Sequence, residues 1–209
     1  QVRDLVINPG ALLTNRGILK IAGDISANAG AINNTNAGVV TGSIEMNTLC
    51  DKPMSIKGNI FTGNAVKDFR MFTDFSVSST AGEGLKVSGL FGFGVDAATV
   101  NKTFNSGNNV VLVSTADATA SVVKTLSNNI YTGQFTVERF IPARRSWRLL
   151  TAPLSSTATT SISQAWQDGQ QATTIPPPVY TAGSGALITF STTAVNGYDK
   201  GSTNNPSLK

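Results

Sequence analysis

The stretch LKIAGDI, residues 19 to 25, returns as LKVSGLF at 85 to 91 and more loosely as MSIKGNI at 54 to 60. All three follow the pattern apolar-x-apolar-x-Gly-x-apolar, with Gly23, Gly89 and Gly58 at the fixed position. Relaxing the pattern admits GVVTGSI around Gly42 and FRMFTDF, where Thr73 takes the glycine's place; LVINPGA adds an earlier copy centred on Pro9. The centres at 9, 23, 42, 58, 73 and 89 are spaced by 14, 19, 16, 15 and 16 residues. A unit of about 16 residues, one short alternating strand and one turn, cannot bury its own apolar row, so such units must stack. The expected fold is therefore all-β, a parallel β-helix or β-solenoid. An antiparallel β-sandwich is the competing arrangement, because strands at roughly 8 to 12 residue spacing also alternate and end in Gly or Asn turns.

In a solenoid, Leu19, Ile21, Ile25, Val40, Ile44, Ile56, Ile60, Met71, Phe75, Leu85, Val87 and Phe91 are expected to point inward. Lys20, Lys57, Arg70 and Lys86 alternate with them and are expected to face solvent, since successive strand residues point to opposite faces. The pattern glycines are expected at corners, where positive φ costs glycine little.

Composition agrees with a β fold. Hydrophobic residues make up 40% of the 209, enough for a core, while only 13% are charged and Ser, Thr, Asn and Gly fill the polar positions. The net charge of +4 is modest, which gives nucleic acid no broad electrostatic footprint. The absence of histidine removes the usual general base and the commonest metal ligand, and the single Cys50 forbids an internal disulfide. No apolar run is long enough to span a membrane, and QVRDLVINPG is not a signal peptide, so a mature chain or a piece of a longer one is expected.

NNVVLVSTADATASVV reads as the last clear strands of the stack. We expect repeats over 1–133 and a β-rich cap or continuation module over 134–209. In the latter, SISQAWQDG is the one credible helix, Pro176 to Pro178 demand an extended segment, and ALITFS reads as a strand.

The strand series LKIAGDI, GSIEM, MSIKGNIF, VKDFRMF, LKVSGLFGF and NNVVLVS leads into GQFTVERFIPARRSWRLLTAPL, then ISQAWQDG and NGYDKGSTNNPSLK. This succession resembles the large secreted surface proteins of Bacteroidetes that are exported by the type IX secretion system. The resemblance covers nearly the whole chain, and the Arg-Trp-Arg-Leu-Leu-Thr-Ala-Pro core is its most specific part. It implies an extracellular or outer cell-surface location, a repetitive β scaffold, adhesion or matrix roles, and a longer parent ending in a sorting domain that is not part of this sequence.

ERFIPARRSWRLLTAPL gathers four arginines and two large aromatics in a chain poor in both. Read as a strand, it splits Arg145 and Trp147 from Arg144 and Arg148, so no single-sided basic stripe forms. The residues Phe140, Arg144, Arg145, Trp147 and Arg148 are therefore expected to form a structural junction. There Phe140 and Trp147 would plug the open core while the arginines stack on rings or pair with carboxylates. Trp166, Tyr180 and Tyr198 lie in loop-rich sequence and are candidate glycan contacts. Asp68 and Asp74 flank Arg70, and Asp96 stands alone, which is not the pattern of a calcium or acid–base site. In GLFGFGVD, Gly89, Gly92 and Gly94 read as turn glycines rather than as a phosphate loop.

The expected function is a non-enzymatic structural or adhesive scaffold with no cofactor. Its expected partners are surface glycans or further copies of itself stacked end to end; nucleic acid is not expected. The alternatives are a self-assembling extracellular filament subunit and a polysaccharide-binding or polysaccharide-active β-helix protein.

Overall fold

The computed structural model describes residues 2–46, 53–94, 101–124 and 128–140. The chain divides into two units, 1–144 and 145–209, and every described residue belongs to the first.

Short strands, numbered β1 to β19 in chain order, build three parallel stacks. The first holds β3 (Ile18–Ile21), β8 (Ser43–Met46), β11 (Phe69–Met71), β14 (Leu90–Phe93) and β17 (Ser121–Val122). The second holds β9 (Met54–Ile56), β12 (Phe75–Val77), β15 (Thr103–Asn105) and β18 (Ile130–Thr132). The third holds β10 (Ala65–Val66), β13 (Leu85–Val87), β16 (Val110–Leu112) and β19 (Phe135–Val137). Below them, β1 (Leu5–Val6) pairs with β4 (Ile25–Ser26), and β2 (Leu13–Thr14) with β5 (Ile32–Asn33). The chain visits the three stacks in turn and then repeats, which makes it a parallel β-solenoid and excludes the sandwich. One antiparallel hairpin, β6 (Thr35–Asn36) with β7 (Val39–Val40), is inserted in the second rung.

Alternation explains the strands. Met54–Ile56, Phe69–Met71, Phe75–Val77 and Leu85–Val87 each read apolar, polar, apolar, and each buries both outer residues. Parallel in-register pairing then lays like on like. Leu19, Ile44, Phe69, Phe91 and Val122 form one row, and Ile21, Met46, Met71 and Phe93 another. Of the residues expected inside, Ile21, Ile44, Ile56, Ile60, Met71, Phe75, Leu85, Val87 and Phe91 are buried, and Leu19 and Ile25 pack half-buried against them. Ile60 reaches the core from a 3-10 turn, Gly58–Ile60, and Val40 lies in the hairpin rather than on a core strand.

Two expectations need correction. The repeat of about 16 residues marks every second corner of a three-cornered turn rather than a turn: the row from Leu19 to Val122 advances by 25, 25, 22 and 31 residues per turn. LKIAGDI rounds the corner from the first stack to β4, whereas LKVSGLF rounds the corner from the third stack to the first. The similarity is that of any strand–corner–strand arc, whichever corner it turns.

The second correction concerns the glycines. Gly23, Gly42, Gly58 and Gly89 do not have positive φ. They are glycine because the neighbouring rung lies too close for a side chain. A Cβ on Gly42 would sit 2.6 Å from the Asn15 carbonyl oxygen, and one on Gly23 would sit 2.7 Å from that of Arg3. Positive φ is used elsewhere, as at the hairpin turn, where Ala37 and Gly38 have φ of 49° and 84°.

The stack runs beyond NNVVLVSTADATASVV. β18 and β19 add one more rung in register, Phe104 beside Tyr131 and Leu112 beside Val137, so residue 133 falls inside that rung.

Candidate functional site

Side chains able to do chemistry lie on the corners and outer rows, and their geometry decides what is left for a ligand. At the corner between the third and first stacks, Asp68 Oδ1 accepts the Leu90 backbone N–H at 2.7 Å, and its Oδ2 accepts the Ser43 hydroxyl at 2.8 Å. At the corner between the first and second stacks, Asp4 Oδ1 accepts the Asp24 N–H at 3.0 Å and Asp74 Oδ1 accepts the Thr103 N–H at 2.7 Å. Each carboxylate thus ties its own rung to the next. Arg70, between Asp68 and Asp74 in sequence, donates from Nη1 to the Phe93 carbonyl at 3.3 Å, again one rung up.

Amides do the same work at the other corners. Asn34, fully buried, donates to the Ala65 carbonyl at 3.0 Å and accepts from Asn15 Nδ2 at 3.0 Å. Asn109 Nδ2 donates to the Ser78 and Thr80 carbonyls at 3.0 and 2.8 Å, and Asn64 Nδ2 to the Gly82 and Gly84 carbonyls at 3.0 and 2.7 Å. Corners break the backbone ladder, and these side chains satisfy the carbonyls it leaves unmatched.

On the outer surface, Lys20, Glu45 and Arg70 stand in register on the first stack, with Lys20 Nζ 2.7 Å from Glu45. Lys57 and Glu83 pair at 2.8 Å across a turn, and Ser78 also donates to Glu83 at 2.6 Å. The Lys57 hydrogen bond, then that of Ser78, holds the Glu83 carboxyl below its ordinary range. The second stack shows a neutral row of Ser55, Ser76, Asn105 and Thr132. Two of its hydroxyls are turned back to the rung before, Ser76 to Met54 O at 3.4 Å and Thr132 to Phe104 O at 3.0 Å.

Inside the upper rungs the aromatics form one column. Phe69 and Phe91 stack between rungs with centroids 6.4 Å apart, as do Phe75 and Phe104, while Phe69–Phe75 and Phe91–Phe104 meet edge to face at 5.3 and 5.0 Å. Tyr131 closes over Phe91, Phe93 and Phe104, and its hydroxyl accepts the Phe93 N–H at 3.3 Å. Burial pushes the Tyr131 phenol above its ordinary value. Gly92, in β14, and Gly94, just past it, are not turn glycines. A side chain on Gly92 would meet the Tyr131 hydroxyl, and one on Gly94 the Phe72 ring.

Among the residues singled out in the sequence, Phe140 is described. It follows β19, donates its backbone N–H to Ser114 Oγ at 2.9 Å, and is 47% exposed. Arg144, Arg145, Trp147, Arg148, Trp166, Tyr180, Tyr198 and Asp96 lie outside the described residues. Among the described residues no group of three or more His, Cys, Asp or Glu side chains could hold a metal ion, and no helix is long and apolar enough to cross a membrane. What the sequence did not reveal is the corner network, because its partners are separated by about one turn of chain. Comparison with protein-family models, with curated proteins and with solved structures gives no match for this chain.

Proposed function

We propose that this chain is a rigid β scaffold within a secreted bacterial surface protein of the type IX export kind, and that it acts non-enzymatically in cell-surface or matrix interaction. One observation carries the mechanical part of this reading. The side chains that could serve chemistry at the corners, Asp4, Asp68, Asp74, Asn34 and Asn109, are spent binding one rung to the next. Each such bond adds about 0.5–1.5 kcal/mol, and more where a carboxylate accepts. A chain that commits its polar groups this way resists local opening along its length, which suits a spacer that holds other surfaces apart. The extracellular location and the export route rest on the sequence resemblance.

Fractionation of the producing cells with an antibody against residues 1–140, followed by protease treatment of intact cells, tests the reading. Surface exposure, together with weaker attachment of a strain lacking the segment, is the expected result. Purely cytoplasmic protein would sink it, and release of reducing sugar or unsaturated product from a polysaccharide panel would replace it with the enzymatic alternative.

A further inference from the structure

We draw no further inference here: the strongest candidate, the uncharged outward row of Ser55, Ser76, Asn105 and Thr132 on the second stack, is a sheet face for which nothing among the described residues shows what covers it.

Discussion

Asp68 and Gly89 meet across one turn of the stack. Asp68 Oδ1 accepts the N–H of Leu90, the residue after the glycine, at 2.7 Å, while the Gly89 N–H reaches the Lys67 carbonyl at 2.7 Å. There is no room for a methyl group between them: a Cβ on Gly89 would overlap the Asp68 carboxylate and lie 2.9 Å from the Lys67 carbonyl oxygen. The corner can turn tightly because one residue supplies an acceptor and the other supplies nothing.

Gly89→Ala should therefore lower stability by about 1–3 kcal/mol through overpacking, although its φ suits alanine. Urea denaturation of Gly89→Ala, Asp68→Ala and the double variant separates clash from backbone strain. With Asp68 shortened, the alanine should cost less than it does alone. Equal costs in both backgrounds would show that the carboxylate is not the obstacle.

Phe91 sits in the crowded middle of the aromatic column, with ring contacts to Phe69, Phe104, Tyr131 and Phe135 at 5.0–6.4 Å. Phe91→Ala should cost about 3–5 kcal/mol. Phe140, half exposed after β19, should tolerate alanine within about 0.5 kcal/mol. A loss at Phe140 as large as that at Phe91 would mean that its ring closes the core after all, as the sequence led us to expect.

These residues also mark how far the sequence could be read. Alternation placed Ile44, Phe75 and Phe91 in the core correctly, because inward and outward residues of a strand are fixed by the backbone itself. Turn length was misread because the corner arc recurs wherever the chain bends, so LKIAGDI and LKVSGLF look alike while turning different corners. Gly23 and Gly89 were assigned to corners for the wrong reason. What forbids a side chain there is Asp4 in one case and Asp68 in the other, residues 19 and 21 positions earlier that no local pattern connects to them. The corner amides were invisible on the same ground: the partner carbonyl of Asn34, on Ala65, lies 31 residues away.

Asn34 should be among the least replaceable polar residues. Its side chain is buried, its amide nitrogen serves the Ala65 carbonyl, its amide oxygen serves Asn15, and its own carbonyl accepts the Thr41 and Gly42 N–H groups at 2.8 and 3.0 Å. Asn34→Leu keeps the number of side-chain heavy atoms but strands the Ala65 carbonyl, at a cost of about 1–3 kcal/mol, and removes one of the Asn15 amide's two acceptors, the other being the Ser43 carbonyl at 3.1 Å. The expected loss is at least 2 kcal/mol by chemical denaturation, with faster amide exchange around Thr41 and Gly42. A near-neutral effect would mean that water takes over both partners.

Glu83 supplies a pH test of the inter-rung pair. Its folded carboxyl is held below the ordinary value of 4.5, first by the hydrogen bond from Lys57 and then by that from Ser78. A carboxyl with a depressed folded value contributes stability that is complete above the unfolded value and is lost as pH falls through the folded one. The contribution should thus be intact at neutral pH and fade from about 4.5 downward. Its size is small, because the pair faces solvent and is screened by salt. Comparing the parent with Glu83→Gln cancels the other carboxylates. The difference in urea midpoint should be constant between pH 8 and 6, shrink below pH 5, and be smaller in 1 M salt. A difference that stays level to pH 2.5 would show that Glu83 acts through shape and neutral hydrogen bonding, and that the Lys57 pair does not hold the rungs together.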